Sequence, residues 1–225
     1  MPSMRPAPIS TPEAFAEAFG VSRETLDRLA TYEALLKSWQ KAVNLVSPAT
    51  LDDIWHRHFA DSAQLLALAP EGAREATRVW VDVGSGAGFP GLVLAILLAE
   101  RGGGRMVLVE SDRRKAAFLG EVARQTGVPV EILCQRIEKI ATQAKLGPID
   151  VITARALAPL PRLLELAAPL FSANTVALLP KGRDARAEVE EALMVWSFEL
   201  RLVPSLTDLA GRIAVIGNLH FKTEG

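Results

Sequence analysis

Cysteine occurs once in the 225-residue chain, at Cys134, so no internal disulfide can form and the sequence suits a reducing compartment. Histidine occurs three times, and these residues with the lone cysteine give no metal-site spacing, so no metal is expected. Long apolar runs are missing as well. The longest, Leu92 to Ala99, is far too short to cross a bilayer and stops at Glu100 and Arg101. The opening MPSMRPAPIS has no apolar core of the signal-peptide kind, and the expectation is a cytoplasmic protein with no membrane partner. Charge of one sign is not in excess either: 25 Lys and Arg stand against 26 Asp and Glu, with a pI near 6.3. That balance excludes a surface that grips nucleic acid indiscriminately, so any RNA must be met by a local patch. No repeat period is evident.

What the chain does have is apolar content, 49% of its residues, enough for one α/β domain with an appendage. Its organising stretch is Val79 to Gly91, VWVDVGSGAGFPG. The valine-rich start suits a strand buried on both faces of a parallel sheet. Gly84, Gly86, Gly88 and Gly91 then let the backbone turn and let a ligand approach the main chain closely. The following LVLAILLAE is long enough for a helix whose free N–H groups point back at that ligand. Strand, glycine loop and helix make a nucleotide-type cradle. A dinucleotide fingerprint would need a third glycine where Phe89 stands, and the spacing is G-x-G-x-G instead.

Read in order, residues 1 to 10 form a loose arm, Thr11 caps a helix that begins at Pro12, and Ser22 opens a longer helix through about Asn44. Leu51 to Leu68 repeats the helical pattern. Residues 1–75 are thus read as a helical N-terminal extension and residues 76–225 as the second domain. From Val79 onward, short β-rich runs alternate with helices, with strands expected at Val79–Val83, Arg105–Glu110, Val130–Leu133, Ile149–Thr153 and Thr175–Leu179. Phe198–Val203 and Arg212–Ile216 read as an antiparallel pair at a sheet edge. The fold class is therefore α/β, a doubly wound, mostly parallel sheet with a helical N-terminal extension and an antiparallel C-terminal hairpin.

The G-x-G-x-G loop, with Asp82 two residues before it, resembles the first motif of S-adenosylmethionine-dependent methyltransferases, and the hairpin is expected of their version of this sheet. On that reading Gly84, Ser85, Gly86, Gly88 and Phe89 belong to the cradle. Glu110, followed by Ser111, ends the second strand twenty-six residues after Gly84, where it can accept both ribose hydroxyls. Arg136, Ile137 and Glu138 follow the third strand, near where an adenine ring would rest. Asp82 is open to two roles: placing the methionine amino group, or anchoring the loop's own N–H groups, since a buried carboxylate needs partners.

The block VNLVSPATLDDIWHRHFADS (Val43 to Ser62), with DVGSGAGFPG, LVES, RKAAFL, QRIE, ITARALAPL and LLPKG, resembles the small-subunit ribosomal RNA guanine N7-methyltransferase family (RsmG, also called GidB). The resemblance runs from about Leu35 to Arg186. It implies methyl transfer from S-adenosylmethionine, leaving S-adenosylhomocysteine, to N7 of a guanine in 16S ribosomal RNA, free or in the small subunit or its precursor; a monomer is a separate expectation. Guanine N7 presents its lone pair in the base plane, so placement can suffice without a nucleophilic side chain or a general base. Arg155 stands where a methyltransferase's catalytic motif normally lies. It can hold guanine O6 or a phosphate with paired hydrogen bonds, or it can form a salt bridge to Glu110 or Asp150. Arg57, His58 and Lys181 are candidates for an RNA-facing rim, although His58 also suits a packed helix position. Arg113 and Arg114, with Lys115, are either a contact surface or a solvated helix turn. Two alternatives stay open: a non-catalytic S-adenosylmethionine-binding rRNA or regulatory module, and an NAD-dependent oxidoreductase on the same fold.

Overall fold

The computed structural model describes residues 8–73, 75, 78–140 and 146–222. Most of the expected amino-terminal arm lies outside these residues. Helix α1 spans Pro12–Phe19, and Thr11 caps it by accepting the Ala14 amide at 3.2 Å, with Pro12 in the first turn. Helix α2, Arg23–Trp39, is capped in the same way by Ser22, which accepts the Thr25 amide.

Helix α2 ends five residues before Asn44, where the apolar pattern alone would have stopped it. The reason is Gln40. Its side chain accepts the amides of Leu45 and Val46 at 3.0 Å each and donates to the Val46 carbonyl at 2.8 Å, so the chain turns back on it. The continuous helix expected over Leu51 to Leu68 is instead a series of short turns. A 3-10 turn (Pro48–Asp53) leads to a π-helical turn (Trp55–Ala60), one α-turn, α3 (Asp61–Ala63), and another 3-10 turn (Gln64–Leu68). Ser62 Oγ donates back to the His58 carbonyl at 2.7 Å, a bond that loosens helical geometry at that place. Wide turns of this kind often accompany functional positions.

Seven strands make one sheet in the order β3-β2-β1-β4-β5-β7-β6. They are β1 (Val79–Val83), β2 (Arg105–Val109), β3 (Val130–Leu133), β4 (Val151–Thr153), β5 (Val176–Lys181), β6 (Trp196–Pro204) and β7 (Arg212–Phe221). The first five are parallel, and β7 pairs antiparallel with both β5 and β6. Helices α4 (Gly91–Glu100), α5 (Arg113–Thr126), α6 (Leu160–Ala167) and α7 (Ala185–Ala192) cover the faces. In the C-terminal hairpin only β6 forms the sheet edge, because β7 is inserted beside β5.

Alternate residues of β1 divide the core. Trp80 joins a cluster with Phe15, Leu29, Tyr32, Phe59, Leu92 and Phe118, whereas Val79, Val81 and Val83 join Ile152, Leu163, Leu164 and Val189 on the other face. The helices before residue 75 therefore bury their apolar side against the sheet domain. In the register, Asp82 lies beside Leu108 of β2 and Thr153 of β4, so the chain leaving β1, β2 and β4 emerges at one edge. The strand order reverses between β1 and β4, which opens a crevice there.

Candidate active site

A cleft of about 1060 Å³ occupies that crevice. Its floor is the glycine loop, tied to β2 by the Gly84 and Ser85 amides, both of which donate to the Val109 carbonyl at 2.9 Å. Glu110, which is 8% exposed, accepts the Gly86 amide on Oε2 at 2.8 Å and the Asp112 amide on Oε1 at 2.7 Å. Each carboxylate oxygen keeps a second acceptor site toward the cleft. Gly86 has φ +57, and a Cβ there would meet nothing nearer than the Gly84 carbonyl at 3.8 Å. Gly88, with φ +93, is used differently: a Cβ would lie 2.6 Å from Tyr32 Oη, so this glycine admits helix α2 against the loop. Tyr32 also donates its hydroxyl to the Ala87 carbonyl.

Asp82 lies beneath the loop with no exposed surface. Thr153 Oγ1 donates to Oδ1 at 2.7 Å, Ser85 Oγ donates to the Asp82 main-chain carbonyl at 3.0 Å, and Oδ2 has no hydrogen-bond partner. Burial pushes the carboxyl up to about 6, with the Thr153 hydroxyl the first group opposing it. Neither Asp82 nor Gly88 lines the cleft, whereas Gly84, Ser85, Gly86, Phe89, Glu110 and Ser111 do. The Asp82 carboxylate thus ties β1 to Thr153 of β4 beneath the loop, and Ser85 of the loop is held by the Asp82 main-chain carbonyl.

Arg155 reaches from the end of β4 to the turns before residue 68. Its Nη1 donates to the Arg57 carbonyl at 3.1 Å and to Asp61 Oδ2 at 3.3 Å, its Nη2 donates to His58 Nδ1 at 2.8 Å, and its guanidinium lies 5.0 Å from the Phe89 ring centre. Phe89 is stacked between His58 and Tyr32, with ring centres 4.7 and 5.3 Å away. The salt bridge expected for Arg155 is thus to Asp61, not to Glu110 or Asp150. Asp150 is held by Arg78 at 2.9 Å, and Glu110 by the backbone amides. His58 is buried and neutral: burial first, then the charges of Arg155 and Arg57, push its pKa down to about 3.

The sequence model of the family described as rRNA small subunit methyltransferase G (GidB) matches residues 25–212. This chain belongs to that family. It is 51% identical over 208 residues to the ribosomal RNA small subunit methyltransferase G of Parvibaculum lavamentivorans, covering 92% of this chain and 89% of the relative. It is 55% identical to that of Rhodospirillum centenum, over 92% and 91% of the two chains. Among solved structures, a SAM-dependent methyltransferase from Aquifex aeolicus superposes with a TM-score of 0.53 at 16% identity, covering 82% of this chain and 98% of that one. A mutant of MtNAS in complex with S-adenosylmethionine gives 0.58 at 16% identity, covering 95% and 84%. These two establish the fold.

In this methyltransferase G family member, Arg57 is exposed on the cleft rim, and Arg136, Ile137 and Glu138 line the cleft beyond β3. Lys181 lines it too but is committed elsewhere. Its Nζ donates to the Ala158 carbonyl at 2.9 Å and pairs with Glu188 at 2.9 Å, and its side chain is only 8% exposed. Arg113 and Arg114 sit on the first turn of α5 outside the cleft, where Arg114 pairs with Asp112 at 3.4 Å; of that basic cluster only Lys115 reaches the lining. Sequence reasoning missed Tyr32 and Thr207. Thr207 donates to Asp61 Oδ1 at 2.7 Å across 146 residues of chain, and no local pattern announces such a pairing. Asp61 stands in the Val43 to Ser62 block, and its acidic charge three residues after His58 is the available signal. Among the described residues no group of His, Cys, Asp and Glu could hold a metal, and no helix is long and apolar enough to cross a membrane.

Proposed function

We propose that this chain transfers a methyl group from S-adenosylmethionine to N7 of a guanine in the 16S ribosomal RNA of the small subunit, acting as a cytoplasmic monomer. The observation that carries the reading is the cleft itself, in which the Gly84–Gly86 cradle and Glu110 share one cavity with the cluster that Arg155 makes with His58 and Asp61, in a chain of this family. The cradle fits the cofactor: the space a Gly86 Cβ would occupy is open, and Glu110 has acceptor capacity for ribose hydroxyls. Ser111 and the Arg136–Glu138 stretch would border the rest of the nucleoside. When bound, S-adenosylmethionine supplies the electrophilic methyl group.

The protein's own task is placement. Guanine N7 needs no deprotonation, and the cleft's buried imidazole, His58, is pushed down to about 3, far below the range of a general base working near neutrality. Arg155 is fixed by four partners on three segments, so a group it contacts is met by a preset guanidinium at little further entropic cost. The test is a radiolabelled methyl-transfer assay on small subunits lacking the modification and on deproteinised rRNA, followed by chemical cleavage at N7-methylguanosine. Label at one cleavable guanine is expected. Label confined to other atoms or to protein would overturn the reading.

A further inference from the structure

The loop from Ser205 to Gly211, between β6 and β7, combines a braced backbone with exposed apolar side chains. Because β7 starts at Arg212 opposite Lys181, the loop stands at the carboxyl end of β5, the same edge as the glycine loop, and Ser205, Thr207 and Asp208 line the cleft. Its backbone is held from several sides. The Leu206 amide donates to Gln64 Oε1 at 2.8 Å, the Arg212 guanidinium donates to the carbonyls of Leu209 and Gly211 at 3.1 and 2.7 Å, and the Ser205 amide donates to the Gly211 carbonyl at 3.2 Å. His56 adds another bond. Its Nδ1 accepts the Ile9 amide, so Nε2 carries the proton and donates to the Thr207 carbonyl at 3.1 Å.

On this fixed frame Leu206 is 53% exposed and Leu209 61% exposed. A loop tip facing only water usually carries small or polar residues. Two exposed leucines held at a cleft mouth mark a contact surface. The cleft beside them carries the guanidinium groups of Arg57 and Arg212, and its acids there are already engaged: Asp61 by Thr207 and Arg155, and Asp208 by the Ala210 amide at 2.9 Å. Apolar patches beside guanidinium groups match a polyanion with exposed base faces. In A-form RNA the groove that carries N7 is too deep and narrow for side chains, so a guanine held in a helix has to leave its stack to be reached. That step uncovers the faces of its neighbours, which apolar side chains can cover.

We propose that Leu206 and Leu209 form the surface against which the RNA bases flanking the target guanine pack. This inference rests on the proposed rRNA substrate. The test compares Leu206→Ser/Leu209→Ser with Leu206→Met/Leu209→Met on small subunits lacking the methyl group. The serine pair is expected to lower kcat/KM by about tenfold or more, through KM, while the Kd for S-adenosylhomocysteine stays within about twofold. The methionine pair, which keeps an apolar surface, should stay near the parent. A serine pair that matches the parent, or a methionine pair that falls as far as serine, would overturn the proposal. In a second measurement, Leu209→p-benzoylphenylalanine is photo-crosslinked on the same subunits. Crosslinks to rRNA are expected, and crosslinks to ribosomal proteins alone would overturn it. If the Leu209→p-benzoylphenylalanine variant crosslinks to rRNA but the parent transfers no methyl group, the proposed activity fails and the contact surface stands.

Discussion

Nδ1 of His58 accepts a hydrogen bond from the Arg155 guanidinium at 2.8 Å. A guanidinium only donates, so this nitrogen carries no proton, and the proton on Nε2 is directed to Thr50 Oγ1 at 2.8 Å. The pair thus fixes both the tautomer and the charge of the ring. His58 is expected to show no titration between about pH 5 and pH 9, read as a flat imidazole NMR shift. In Arg155→Ala its pKa should rise yet stay below 6.5, because burial is the larger cause and remains. An inflection near 6.5 in the parent would refute the neutral assignment.

Asp82 gives a stability prediction of definite sign. Its carboxyl is raised from 3.8 to about 6, so between those values the folded state binds more protons than the unfolded one, and stability falls as pH rises through that window. His58, depressed from 6.5 to about 3, works the other way, losing stability as pH falls. Comparing the parent with Asp82→Asn cancels the His58 contribution. From about pH 4 to pH 8 the parent should lose about 2–3 kcal/mol relative to the variant, measured as urea unfolding free energies. Parallel curves would show that Asp82 ionises freely.

Two glycines of one loop should fail in different ways when changed to alanine. At Gly86 the new Cβ points into open space, so Gly86→Ala should cost about 1–2 kcal/mol of backbone strain, remain folded and bind S-adenosylhomocysteine more weakly. Gly88→Ala drives a methyl group into Tyr32 Oη and Leu92, and should cost about 3 kcal/mol or more. Thermal unfolding with calorimetric titration separates the two. Equal losses of stability would contradict the assigned roles.

The same loop shows what was legible in the sequence. Strand β1, the caps at Thr11 and Ser22, and the hairpin all follow from local patterns, because a run of valines, a cap or a turn is specified by a few neighbouring residues. Glu110 could be expected beside the glycine loop because parallel register alone carries the end of β2 there, and its carboxylate does accept the Gly86 amide. What stayed hidden depends on side-chain bonds and packing that no periodicity shows. The early end of α2 follows from the Gln40 side chain and the broken helix of 48–68 from the Ser62 back-bond, the burial of Lys181 on β5 from Glu188 on α7, and the outward position of Arg113 and Arg114 from the phase of α5 on the sheet. Charge in a sequence does not say which cations are already paired.

Lys181 illustrates the point with a measurable consequence. Glu188 accepts both Lys181 and the Leu160 amide, at 2.9 and 2.6 Å, and Lys181 also holds the Ala158 carbonyl, so the pair braces the stretch after Arg155. Lys181→Ala should lower stability by about 1–3 kcal/mol and leave the salt slope of rRNA binding unchanged. A slope reduced by about one would make Lys181 a phosphate contact instead.

Arg155 gives the sharpest test of placement against chemistry. Its guanidinium reaches His58 Nδ1 with one nitrogen and the Arg57 carbonyl and Asp61 with another, while its plane lies over Phe89. A lysine has one nitrogen and cannot serve both sides at once, so Arg155→Lys should behave like Arg155→Ala. Both should cut single-turnover methyl transfer by about 10²-fold, the usual cost of losing alignment, while S-adenosylhomocysteine binding changes little, since the cradle is built by the glycine loop and Glu110. Asp61→Asn should fall between the parent and these variants, because the His58 and Arg57 bonds survive while the anion that fixes Nη1 is lost. The residual rate should be independent of pH above neutrality in every variant, because N7 requires no base. Lysine retaining more than about half of the parent rate would show that charge alone, not the planar fork, is what the reaction uses.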